Sequence, residues 1–219
     1  NVENTEVTSS QKETVARVNG EDIYAQELVQ MTNIQNILRQ VSQMDPTFAQ
    51  FMYSSEAGQK FLQEYDKYVL KELINQKLLE QAAEKKNIEV TQEEKDTYFD
   101  EHIEQVKSQY NMTQEDLVNA LEEQMTLEQY KKMVFENTNL KVNKMLESEV
   151  VDKNAKITDD KAREIYDNNP QQFVGQEGTM PFEDVKEQIK NSLRQQQEQK
   201  AINNYIQQLR EDAEIEKML

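Results

Sequence analysis

The sequence contains no cysteine, no tryptophan, one histidine, four glycines and three prolines among 219 residues. Without cysteine there is no disulfide, no thiolate nucleophile and no thiolate-bound metal, and the redox compartment stays open. His102, the one histidine, sits in a polar helical stretch with no serine or cysteine nucleophile signature, which excludes a triad and a His-rich metal site. Four glycines placed as these are cannot form a phosphate-cradling loop. No run of about 18 apolar residues is present, so nothing is expected to span a membrane, and no basic segment followed by an apolar one opens the chain. Positive charge is scarce as well: 25 Lys and Arg face 42 Asp and Glu, for a net charge of −17. Such a surface repels nucleic acid and anionic headgroups, so neither is an expected partner. Acidic neighbours such as Glu93 with Glu94 and Asp159 with Asp160 do not face each other on a helix, and they read as charges complementing helix N-termini. No catalytic residue, metal or cofactor is expected, and the chain reads as a binder.

What is present is charge and helical periodicity. With 31% charged and 36% hydrophobic residues and a mean hydropathy of −0.94, the chain suits an elongated protein with much exposed helix surface. The apolar residues recur at helical spacing, which argues for a fold and against disorder. Residues 1–14, rich in Asn, Thr, Ser and Glu, are expected to be a solvated tether. A leader of this kind often follows a removed signal or a lipid anchor, so membrane attachment would be through such an anchor alone.

In "VARVNGEDIYAQEL", Asn19 and Gly20 supply the two positive-φ residues of a tight hairpin, and residues 15–18 should form a strand. From Ala25 one helix should carry Leu28, Met31, Ile34, Leu38 and Val41 on a single stripe, stopping where Asp45 caps and Pro46 opens a short helix. Residues 58–86 read as a long helix with Phe61, Leu62, Tyr65, Val69, Leu73, Leu78 and Ala82 on its buried side. Thr91 with Glu94, Thr113 with Asp116, Thr126 with Gln129, and Thr158 before two aspartates mark helix starts. The last helix, residues 182–212, has a polar middle, "RQQQEQK", expected to cross solvent. The tail "AEIEKML" alternates and is expected to pair with residues 15–18, joining the chain ends.

Nine Met, nine Tyr and seven Phe remain the distinctive feature. Flexible thioethers and amphipathic rings suit surfaces that repack around varied apolar partners. Met44, Phe48, Phe51, Met52 and Tyr53 crowd into a short segment flanked by breaks, and they are the candidate peptide-binding residues.

"VARVNGEDIYAQEL" resembles the opening of the SurA and PrsA family of extracytoplasmic foldases. "NMTQEDLVNALEEQMTLEQYKKMVFENTNLKVNKMLESEVVDKNAKIT" looks like that family's helical core. "DNNPQQF" and "PFEDVKEQIKNSLRQQQEQKAINNYIQQLREDAEIE" are similar to the segments that flank its isomerase domain and end the chain. The likeness covers nearly everything from residue 15 onward. In family members with prolyl isomerase activity a parvulin domain lies between those flanks, whereas here seven residues, 174–180, separate Phe173 from Pro181. A span so short cannot fold independently. The parvulin histidines and "HIL"-like strand are missing, so no isomerase residue carries over.

The resemblance implies a mainly α, elongated multi-helix chaperone domain over residues 15–219, with a small β element pairing N- and C-terminal strands and a short linker at 174–180. It implies ATP-independent binding of unfolded or newly translocated polypeptides, outside the cytoplasmic membrane at the cell surface or in a periplasm, with no enzymatic activity. Two other readings compete with it. One is a prolyl isomerase with an unrecognised site, or the non-catalytic part of one, and the other is a helical adaptor for one fixed partner.

Overall fold

The computed structural model describes residues 13–122, 124–151, 157–175 and 178–218, so the expected tether at 1–14 lies outside the described residues up to residue 12. The described chain is mainly helical and divides into two units. Residues 1–81 and 206–219 make the first, and residues 82–205 the second.

The first unit is built on a three-stranded antiparallel sheet in the order β2-β1-β5, formed by β1 (Thr14–Val18), β2 (Glu21–Tyr24) and β5 (Ile215–Lys217). Asn19 and Gly20 turn β1 into β2 at φ 51° and 86°, a conformation that asparagine and glycine tolerate. Asn19 also holds the distant strand. Its N–H donates to the Glu214 carbonyl at 2.8 Å, and its side-chain oxygen accepts from the Glu214 N–H at 2.9 Å. Val18 lies opposite Ile215, so the end of the chain closes the edge of β1. Val15, Ala16, Val18 and Ile23 turn inward and pack with Leu28, Val69, Leu70, Ile74 and Leu78 into one core. On the outer face Arg17 Nε meets Asp22 at 2.8 Å, tying β1 to β2.

Helix α1 (Ala25–Thr32) stops at Asn33, which adopts φ 48°, and α2 (Ile34–Met44) starts afresh. The single helix expected from residue 25 is therefore two. The left-handed residue breaks the stripe, leaving Leu28 and Leu38 buried and Met31 exposed. Short α3 (Pro46–Ser54) begins as expected, with the Asp45 carboxylate accepting the Phe48 N–H at 3.0 Å. Long α4 (Glu56–Lys85) follows after one residue. The buried side of α4 begins later than the periodicity predicts. The sheet core takes in the helix from half-buried Tyr65 onward, and Phe61, the first residue of the expected stripe, is 57% exposed.

The second unit contains α5 (Gln92–Tyr110), α6 (Gln114–Glu122), α7 (Leu127–Glu136), α8 (Leu140–Met145) running into a π-turn (Leu146–Val151), and α9 (Asp159–Asn168). Each expected threonine cap is made. Thr91, Thr113, Thr126 and Thr158 accept backbone N–H groups of Glu94, Asp116, Gln129 and Lys161. The Thr113–Asp116 pair reciprocates as fully as the Glu and Gln versions, because the Asp116 carboxylate also accepts the Thr113 N–H at 2.9 Å. Phe99, Ile103, Leu117 and Val134 form one core here. A second core, of Ala162, Val185 and Ile189, joins α9 to α10 (Phe182–Asp212). Between these helices lie a 3-10 turn (Pro170–Phe173) and a hairpin of β3 (Val174–Gly175) with β4 (Gly178–Thr179).

Asp159 at the first turn of α9 binds both Lys186 and Lys190 of α10, the latter at 2.9 Å. Hydrogen bonds from these two ammonium groups hold the Asp159 carboxyl below its ordinary range. Because the folded state favours the ionised form, this contribution is present above the unfolded carboxyl's pKa of about 4 and is lost as pH falls through the lower folded value. An Asp159→Asn variant should therefore be less stable than the parent at pH 7, and the gap should shrink below about pH 4. Urea midpoints for both proteins from pH 7 to pH 3 test this, and a constant gap would count against the ion pairs.

Candidate client-binding surface

Helix α3 has only two turns, so its faces are set by what it must bury. Ala49 and Met52, three apart, turn inward at 3% and 5% exposure. Phe48 and Phe51, also three apart, turn outward together, their ring centroids 6.4 Å apart. Tyr53 is 54% exposed and Met44, at the end of α2, is 87% exposed. Of the five candidates the structure thus brings four to the surface and places Met52 in the interior. Ala49 takes the inward position beside Met52, so Phe48, four residues before Met52, stays on the surface.

Gly58 explains that choice. It lies in the first turn of α4, where a Cβ would fall 2.5 Å from the carbonyl oxygens of both Phe51 and Met52. Only a residue without a side chain lets the end of α3 approach α4 this closely. Ser55 is shared between the helices: its N–H donates to the Phe51 carbonyl at 3.0 Å, and its hydroxyl accepts the Gly58 N–H at 2.9 Å. One linking residue therefore fixes the angle at which α3 leaves α4, and with it the outward aim of Phe48 and Phe51.

Exposed apolar residues in this part of the chain are not confined to the five candidates. Val29, Met31 and Ile37 on α1 and α2 are also exposed. Residues 28–55 carry two charges, Arg39 and Asp45, of opposite sign, in a chain with 31% charged residues. That charge-poor window was the sequence signal pointing to α1 and α2, and helical periodicity masked it by assigning Met31 to a core stripe. A surface of thioether, aliphatic and aromatic side chains with one charge of each sign is suited to varied apolar partners.

The ionisable groups follow a different pattern. His102 Nε2 lies 2.9 Å from the Tyr130 hydroxyl, half-buried between α5 and α7. Burial pushes the Tyr130 phenol upward, away from neutral pH. The Glu94 carboxyl is held below its ordinary range by hydrogen bonds from the Lys144 ammonium and the Thr91 N–H. These carboxylates serve caps and ion pairs. Among the described residues no group of three or more His, Asp or Glu is placed to hold a metal ion, and no helix is long and apolar enough to cross a membrane.

Comparison with known proteins adds three findings. The model of the SurA-like N-terminal domain matches residues 2–146. Foldase protein PrsA of Clostridium botulinum (strain Langeland / NCTC 10281 / Type F) is 27% identical over 173 residues, covering 77% of this chain and 48% of that protein. Foldase protein PrsA of Caldanaerobacter subterraneus subsp. tengcongensis is 30% identical over 171 residues, covering 75% and 47%. The chain thus spans about half the length of the curated relatives it matches. A solved chain from work on two structurally related SurA-like chaperones of Campylobacter jejuni, one of them described as periplasmic, superposes with a TM-score of 0.57. That match covers 95% of this chain and all of the other at 16% identity, a likeness of fold.

Proposed function

Because the chain belongs to the SurA-like N-terminal domain family, within a wider group of foldases and chaperones, we propose that it is an ATP-independent chaperone that holds unfolded or newly translocated polypeptides. The observation that carries this reading is the neutral exposed surface of Met44, Phe48, Phe51 and Tyr53, set in an otherwise strongly acidic chain. Contact there is apolar and promiscuous, with affinity limited by the cost of ordering a flexible client. The acidic remainder limits self-association. The names of the relatives and the periplasmic description of one Campylobacter chaperone support a place outside the cytoplasmic membrane, and any attachment to that membrane would be through a lipid anchor ahead of the polar leader.

The chain is also proposed to act without catalysis, as the binding part of a foldase. Residues 15–219 are taken as the chaperone domain, with 174–180 standing where related foldases carry a parvulin domain. Support comes from how the chain closes that gap. Met180 N–H donates to the Phe173 carbonyl at 2.8 Å, Val174 pairs with Thr179, and the Tyr166 hydroxyl donates to the Met180 carbonyl at 2.6 Å. The ends of the break therefore meet on one short hairpin, the geometry at which a domain can be inserted or omitted without disturbing its flanks. Prolyl isomerisation of a short peptide should run at its uncatalysed rate, over tens to hundreds of seconds, in the presence of the purified chain. Acceleration that disappears in a His102→Ala variant would overturn this.

The binding surface is tested by Phe51→Ser combined with Tyr53→Ser. Suppression of aggregation of several unrelated unfolded clients should fall several-fold, with stability changed by no more than about 1 kcal/mol. Loss of several kcal/mol would show that the side chains belong to the core. Unchanged suppression would place client binding elsewhere. Loss for one client alone would favour a fixed-partner adaptor.

A further inference from the structure

The second unit contains a cleft of about 520 Å³ between α9, the 3-10 turn with its hairpin, and α10. That volume is typical of a ligand site. None of the residues lining it is charged, although the helices that form it are among the more charged parts of the chain. The wall supplied by α10 is two parallel rows at four-residue spacing. Val185, Ile189 and Leu193 make an apolar floor, and Gln188, Ser192 and Gln196 make a neutral hydrogen-bonding row beside it. The charges of this part of α10, including Glu183, Glu187 and Arg194, fall outside both rows. Across the cleft, Val174 and Met180 are 57% and 40% exposed and form an apolar rim.

We infer that this cleft binds an extended, uncharged stretch of polypeptide, at a site separate from the exposed surface of α2 and α3. A carboxamide offers both a donor and an acceptor, so the Gln row matches the N–H and C=O groups of an extended backbone whatever its sequence. The apolar rim of Val174 and Met180, with half-buried Leu193 below it, takes alternate side chains. A nucleic acid would need clustered cations and an ionic ligand an opposite charge, and the lining provides neither. From residue 185 to 196 the helix rises about 16 Å, the length of about five residues of extended chain. Gln196, in the polar stretch 194–200, ends the neutral row, and the rest of that stretch is largely exposed, as expected.

The test uses an end-blocked octapeptide alternating valine with serine, with glutamate-for-serine and lysine-for-serine versions as controls. The neutral peptide should shift the methyl resonances of Val185, Ile189, Leu193 and Met180, and both charged versions should bind at least tenfold more weakly. Gln188→Glu with Ser192→Glu, two exposed positions, should raise the Kd for the neutral peptide at least tenfold while the circular dichroism spectrum stays unchanged. The Phe51→Ser, Tyr53→Ser protein should bind it as the parent does, which separates failure of this site from failure of the chaperone reading. Shifts confined to residues 44–53, an unchanged Kd in the glutamate variant, or equal binding of all three peptides would each overturn the assignment. So would a monomer–dimer equilibrium weakened by the same two substitutions, since a second copy of the chain would then be the occupant. Should that double variant unfold, Gln196→Glu alone carries the same expectation.

Discussion

Deleting residues 212–219 should lower the melting temperature of the first unit by about 10 °C, given about 2–4 °C per kcal/mol for a chain of this size. The expected loss is about 3–5 kcal/mol, summed from two sources. The first is backbone pairing. Asn19 N–H to the Glu214 carbonyl at 2.8 Å and Met218 N–H to the Val15 carbonyl at 2.9 Å flank the β1–β5 ladder, and each such bond contributes about 0.5–1.5 kcal/mol net. The second is the core. Ile215 and Ala213 pack against the cluster of Val15, Ala16 and Val18, and Ala16 and Val18 are fully buried in its presence. Removing β5 exposes part of that cluster and leaves β1 as an open edge, so aggregation on heating should rise too. Calorimetry of the parent and the truncated chain checks both effects. An unchanged melting curve would show that β5 is peripheral to the fold.

The deletion probes the feature that was most legible in the sequence. The Asn-Gly turn and the Thr-based caps are local signals, each satisfied by residues within a turn of one another, and they form; the alternation in the tail marked a strand, which pairs with β1 from the other end of the first unit's sequence. The long helices α4 and α10 were legible for the same reason. What local pattern could not supply was which neighbour covers which face. Asn33 looks like any polar helix residue until its φ of 48° ends α1. Phe61 has the right spacing for a buried stripe but lies before the stretch of α4 that the sheet covers. The orientation of α3 was illegible because two turns fit several faces equally well, and the deciding contact comes from Gly58, in the next helix. The neutral row of α10 was hidden in a sequence so rich in glutamine that its four-residue spacing signalled nothing until α9 stood opposite it.

Gly58→Ala should destabilise the protein by about 1–3 kcal/mol, the usual range for overpacking. A glycine in a helix ordinarily yields about 1 kcal/mol of stability when replaced by alanine, so the expected sign is the reverse of the propensity rule. The reason is the space around it. An alanine methyl would sit 2.5 Å from the Phe51 and Met52 carbonyl oxygens and 2.6 Å from the Met52 Cα, all of them backbone atoms that no rotamer change can move aside. Relief requires α3 to shift, and Ser55 alone joins it to α4, so the shift tilts the whole short helix. Met52 then loses its buried site while Phe48 and Phe51 change their aim, and client aggregation should be suppressed less well even at temperatures where the variant remains folded. Ala57→Ser, one residue earlier and exposed, is the control, and it should leave both stability and suppression near the parent's. Urea denaturation and an aggregation assay on the two variants decide the matter. If Gly58→Ala instead melts higher than the parent, the close approach of α3 to α4 is wrong, and the outward placement of Phe48 and Phe51 goes with it.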